Sequence, residues 1–155
     1  MIRKIGFFVF LILTSCSFFQ KDKKKSEIQI LSEDVAKNPR DTDLLYKRVV
    51  YNKSNNNLES ALYDLKQIIQ LDSNNAINHY NIASVYFELS KNKTRDNSYP
   101  SLVKYHLEKS IEIDTENENS YALMGELFLA YYKYEEAIQL FNSSLQIKYN
   151  QERVH

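Results

Sequence analysis

The stretch that decides the fold is "YALMGELFLAYYKYEEAIQLFNSS", residues 121 to 144. It sets bulky residues at Tyr121, Met124, Phe128 and Phe141 around small ones at Gly125, Ala137 and Ser144. Two antiparallel helices approach closely only where side chains are small, while bulky residues interdigitate one turn away. Gly125 and Ala137 therefore read as a crossing point between two helices. The same crossing recurs upstream, giving the columns Val49/Ala83/Gly125 and Ala61/Val103/Ala137.

Three phrases mark the period: "DLKQIIQLDSNN" (64 to 75), "HLEKSIEIDTEN" (106 to 117) and "LFNSSLQIKYNQ" (140 to 151). They divide the chain into units at 42 to 75, 76 to 117 and 118 to 151, the first and third 34 residues long and the second 42. A period of this length marks stacked supersecondary units rather than one closed domain. Two glycines and two prolines in 155 residues argue against a β-sandwich or barrel, whose tight turns need glycine. The expected class is all-α, with about seven helices and no sheet. Breaks are expected near residues 54 to 57, 72 to 75, 91 to 99, 114 to 118, 132 to 134 and 149 to 151.

A helix-turn-helix unit of 34 residues resembles the tetratricopeptide repeat. The third unit matches at all seven pattern positions: Tyr121, Met124, Gly125, Phe128, Ala137, Phe141 and Ser144. The second gives His79, Ile82, Ala83, Tyr86, Val103, Leu107 and Ser110, with eight extra residues in its loop. In the first, Arg48, Val49, Asn52 and Ile68 depart from the pattern while Leu45, Ala61 and Leu65 keep it. Asn55, Asn56 and Asn57 tolerate left-handed backbone in a loop that otherwise favours glycine. Tyr132 stands where the family usually has glycine. Pro100 suits the first turn of a helix after the swollen loop. Residues 26 to 41 read as a lone capping half-repeat ending near Pro39, and 152 to 155 as the opening of a further helix. Solenoids finish in a polar cap, so the sequence implies either more chain or a partner over the last apolar face.

The N-terminus carries a separate message. Arg3 and Lys4 precede an apolar run from Ile5 to Leu13, the layout of a secretory signal. Nine apolar residues span roughly 14 Å as a helix, short of the roughly 30 Å hydrocarbon core. Leu13-Thr14-Ser15-Cys16 resembles the lipobox of bacterial lipoproteins. That resemblance implies a signal peptide over 1 to 15, acylation of Cys16 and a lipidated tether over 16 to 25. Serine rather than aspartate at 17 implies the outer membrane, on its periplasmic face. In the tether, Phe18, Phe19 and the lysines at 21, 23, 24 and 25 suit a headgroup layer.

Cys16 is the single cysteine, which excludes an internal disulfide or a multi-cysteine zinc site. Twenty basic against twenty acidic side chains lack the footprint of a nucleic-acid binder. His79, His106 and His155 have no metal-binding spacing, and no phosphate loop or nucleophile motif is present. No cofactor and no enzymatic activity are expected.

The family resemblance implies a concave groove lined by the first helix of each unit. It assigns Asp43, Tyr46, Lys47, Val50, Lys53 and Ser54 from unit one, and Ile77, Tyr80, Asn81, Ser84, Phe87 and Glu88 from unit two. Unit three adds Asn119, Ala122, Leu123, Glu126, Leu129 and Ala130. Tyr46, Tyr80 and Phe87 are the expected aromatic anchors. Of the positions that form a carboxylate clamp in some relatives, only Asn81 carries a matching residue, so that recognition mode is not implied. The function implied is a membrane-anchored scaffold taking a peptide or partner helix. The alternative is a structural subunit of an outer-membrane or envelope assembly joined through exposed end helices, with a homo-oligomer through the C-terminal end as one form of it; a minor alternative is an enzyme whose chemistry no motif marks.

Overall fold

The protein is described by a computed structural model over residues 26–91 and 98–154. Cys16, the signal segment and the tether lie outside the described residues. Seven helices follow in order: α1 Glu27–Lys37, α2 Thr42–Ser54, α3 Leu58–Leu71, α4 Ala76–Ser90, α5 Tyr99–Ile113, α6 Glu118–Ala130 and α7 Tyr134–Val154. No strand occurs among the described residues. Each helix packs on the next, and α4 also touches α6. The architecture is an α-solenoid of antiparallel helix pairs.

Local chemistry sets the helix starts. The first helix of each unit is capped by the residue just before the unit. Asp41 Oδ1 accepts from the Asp43 and Leu44 N–H groups at 3.0 and 3.1 Å, and Asn75 Oδ1 from those of Ile77 and Asn78 at 3.1 and 3.4 Å. Asn117 Oδ1 accepts from the Ser120 N–H at 3.2 Å. Such caps satisfy N–H groups that a helix leaves orphaned. Ahead of the first unit, the Ser26 N–H donates to Gln29 Oε1 at 2.9 Å and starts α1. Pro100 lies in the first turn of α5.

The helix ends distinguish the third unit. Asp72 and Asp114 leave helical geometry and end α3 and α5. The matching position in unit three is Lys148, and α7 runs through it to Val154. The break expected near 149 to 151 and the further helix from 152 are therefore absent. Tyr149, Asn150 and Gln151 include no glycine or proline, and nothing like the Asp72 terminus interrupts the hydrogen-bond ladder.

The crossings pack as the small residues require. Ala61, Ala83 and Val103 are fully buried, and Val49 and Ala137 nearly so. At Gly125 the approach is closest: a Cβ there would stand 2.7 Å from Cε1 of Phe141, so the ring occupies the space a side chain would need. A polar knot joins units two and three. Ser110 Oγ donates to the Ala76 carbonyl at 2.8 Å and accepts from Ser120 Oγ at 2.8 Å and from Asn117 Nδ2 at 3.3 Å. With both acceptor lone pairs and its proton used, this buried serine carries no desolvation penalty.

Candidate binding groove

The first helices α2 and α4 are tied across the face by polar rungs, and α6 packs beside α4. The Tyr46 hydroxyl donates to Asn78 Oδ1 and accepts from Asn81 Nδ2 at 3.3 Å. Asn78 Nδ2 in turn donates to the Asp72 carbonyl at 3.2 Å. One helix face further on, Lys53 Nζ donates to Ser84 Oγ at 3.4 Å. Burial, outweighing the Asn81 hydrogen bond and assisted by Asp72, raises the Tyr46 pKa, so its hydroxyl stays protonated at neutral pH. Asn78 was not among the expected groove residues. Its side chain is 3% exposed and orients Tyr46 from behind.

The expected residues divide into two sets. Val50 and Ile77 are 61% and 60% exposed, Leu129 is 47% exposed, and Lys47 and Glu126 are exposed as well. Tyr46, Lys53, Tyr80, Asn81 and Ser84 are half-buried. Phe87 and Leu123 are each 8% exposed and belong to the core, which corrects their assignment to an open surface. Both side chains join the hydrophobic cluster that runs through the stacked helices. Lys91 Nζ lies over the Phe87 ring, 4.5 Å from its centroid.

Charge differs along the face. Unit one sets Lys47 and Lys53 beside Asp43, with Glu27 of α1 across the cleft, so its charges balance; units two and three supply Glu88, Glu118 and Glu126. Tyr80 registers the acidic end: burial raises its pKa first, and Glu126, Glu118 and Glu88 add to the rise. At the other end, α1 extends the wall. Glu27 and Leu31 of α1 close a cleft of about 590 Å³ with Tyr46, Lys47, Val50 and Ser54. The repeat pattern assigns no role to α1, so its share in the groove was invisible in the periodicity.

A second cleft, of about 450 Å³, lies between α1, α2 and α3 and is walled by Arg48, Asn52 and Asp64. Arg48 grips Asp64 in a fork, Nε to Oδ2 at 2.8 Å and Nη2 to Oδ1 at 2.7 Å, with the carboxylate side chain 1% exposed. The hydrogen bond to Asp64 raises the arginine pKa further, against the opposing cost of burial. Here lies the reason for the departure of Arg48 from the repeat pattern: it answers a buried acid on the next helix.

His79 and His106 meet through their Nδ1 atoms at 3.1 Å, and His79 Nε2 lies 3.2 Å from the Ser73 carbonyl. The carbonyl can only accept, so His79 carries its proton on Nε2 and His106 donates from Nδ1 to His79. Burial, then His79, then Lys66 push the His106 pKa down to about 4. Among the described residues no three His, Cys, Asp or Glu side chains are grouped to hold a metal ion.

No family model matches the chain, and neither does any curated protein. Solved structures do. A crystal structure of the MamA protein superimposes with a TM-score of 0.67 at 18% identity, over 78% of this chain and 62% of that one. The second tetratricopeptide domain of Spaghetti (RPAP3), bound to the HSP90 peptide SRMEEVD, gives 0.59 at 18% identity, over 72% of this chain and 97% of that one. The Arabidopsis OM64 tetratricopeptide domain gives 0.59 at 19% identity, over 68% and 81%. The chain thus has a tetratricopeptide-type fold, and it spans under two thirds of the MamA chain it resembles.

Proposed function

We propose that this chain is a non-catalytic protein-interaction scaffold, tethered to the bacterial outer membrane on its periplasmic face through acylated Cys16, whose concave face takes an extended peptide or partner helix. The observation that carries the reading is the groove itself. Exposed aliphatic side chains on α2, α4 and α6 flank a hydrogen-bonded floor that holds Tyr46 and Asn81 in place. Preset polar groups among apolar contacts suit recognition of a backbone, because the floor loses little side-chain freedom on binding. The acidic end around Tyr80 favours a ligand that carries a basic segment over Glu88 and Glu126. Solved tetratricopeptide domains of the same fold include one with a peptide bound. The anchor rests on the lipobox.

Site-specific photo-crosslinking in cells, in wild-type and Cys16→Ser chains, tests both halves. A crosslinker at Val50 or Ile77 should give a discrete adduct in the membrane fraction, and one at the exposed Tyr63 of α3 should not. Cys16→Ser should move the protein out of the membrane fraction. Adducts from Tyr63 alone would move the interface off the concave face, and a Cys16→Ser chain that stays membrane-bound would remove the lipid anchor.

A further inference from the structure

The outer face of α7 is an exposed apolar surface that the groove does not use. Tyr134, Ile138, Leu145 and Tyr149 are 51%, 59%, 64% and 57% exposed. Their spacing of four, seven and four residues puts them in one stripe of a helix with 3.6 residues per turn. In the first unit the positions of Tyr134, Ile138 and Leu145 are taken by Leu58, Leu62 and Ile69, and that of Tyr149 by the exposed Ser73. There the first two are 9% exposed and the third packs against the core. Among the described residues α7 packs against α6 alone. The stripe therefore has the chemistry of a buried interface of the stack, and no described helix covers it.

The stripe is complementary to itself. Reversing α7 about the midpoint between Phe141 and Asn142 puts Ile138 level with Leu145 of the reversed helix, and Tyr134 level with its Tyr149. All four exposed apolar residues find a large apolar counterpart in this one register. Charge selects the same direction. The first turn carries Glu135 and Glu136, while the last two turns carry Lys148 and Arg153 against a single Glu152. Parallel helices would align acid with acid; antiparallel helices bring the acidic turn of each beside the basic end of the other, and their dipoles align favourably too.

We propose that α7 is a homodimer interface, through which two copies of this chain pack with their α7 helices antiparallel about a two-fold axis near Asn142. Such an isologous contact uses one patch twice and closes without forming a fibre. It leaves α2, α4 and α6 free, so it stands apart from the groove reading. Two tethered grooves in one dimer would bind a bivalent partner with raised effective concentration.

The test uses the full chain, purified in mild detergent, by sedimentation equilibrium and by crosslinking. The wild-type protein should sediment as a dimer, and Ile138→Asp with Leu145→Asp as a monomer with an unchanged helical circular dichroism spectrum. To fix the register without disturbing the stripe, single cysteines are placed in a Cys16→Ser background. Asn142→Cys should link to its own copy through a short bismaleimide, while Asn150→Cys, on the far side of the helix, should not. A wild-type monomer, a dimer that survives the double substitution, or equal linking from both cysteines would overturn the proposal. So would an α7 stripe found protected by a different protein in the purified complex.

Discussion

Units one and three share a backbone and fill it differently. At one matched pair of positions, unit one places Arg48 on its first helix and Asp64 on its second, unit two Ile82 and His106, and unit three Met124 and Leu140. The slot holds an ion pair in the first case and two apolar side chains of the core region in the last. Around it the small crossings at Val49/Ala61 and Gly125/Ala137 are unchanged in kind. What the repeat fixes is therefore the close approach of the two helices; the neighbouring slot is free to vary provided that both partners change together.

That coupling is open to a direct break. Arg48→Met alone strands a carboxylate that is 1% exposed. Removing one partner of a buried pair costs about 3 to 5 kcal/mol. Replacing both, as Arg48→Met with Asp64→Leu, installs the unit-three pair and should restore stability to within about 1 kcal/mol of the parent, since apolar replacements of buried pairs are often neutral. Urea unfolding midpoints of the three proteins decide it. A single variant as stable as the double one would show that the two side chains are not coupled.

Unit two, between these extremes, answers to pH. The ordinary histidine pKa is 6.5, and in the folded chain that of His106 is about 4. Between those values the unfolded chain binds a proton that the folded chain refuses, so stability rises with pH. The contribution is complete above pH 6.5 and is lost as pH falls toward 4. Allowing for solvent screening of this partly exposed ring, the loss amounts to about 2 kcal/mol. The charges facing the ring are His79 and Lys66, and both oppose its protonation. His106→Leu, which imports the unit-three residue, should flatten the difference in melting temperature between pH 7 and pH 4.5. Equal acid sensitivity in the variant would put the pH response elsewhere.

The contrast also explains what the sequence made legible. Helix pairs, crossings and the left-handed asparagine loop were readable because each depends on residues a fixed distance apart along the chain. Arg48 and Asn52 stood out as departures from the repeat, yet Asp64 could not be named as the partner, because that bond links two helices through tertiary approach. The groove assignment failed at Phe87 and Leu123 for a related reason. Repeat position gives the direction of a side chain from its own helix, whereas burial depends on how near the next helix comes. At α7 the decisive residue was Lys148, where units one and two have aspartate.

The loops offer the finest comparison. The α2–α3 loop and the α6–α7 loop close identically: Asn56 N–H to the Lys53 carbonyl and Asn57 N–H to the Asn52 carbonyl in one, Tyr132 N–H to the Leu129 carbonyl and Lys133 N–H to the Phe128 carbonyl in the other. This is the Schellman pattern, which requires a left-handed residue, and Asn56 and Tyr132 supply it at φ of 57° and 60°. Asparagine tolerates that region. A tyrosine pays about 1 to 2 kcal/mol for its Cβ against the carbonyl. Glycine removes that cost and gives back part of the gain through the greater freedom of the unfolded chain. Tyr132 also makes an edge contact with Tyr134, at 6.2 Å between ring centroids, but it is 77% exposed, so the contact adds little. Tyr132→Gly should therefore stabilise the protein by about 0.5 to 1 kcal/mol, while Asn56→Gly changes little. Denaturant midpoints of the two variants separate strain from side-chain contact: a destabilised Tyr132→Gly would mean that the ring contributes more than its backbone costs, and the residue would then belong with the aromatic surface of α7 rather than with the loop.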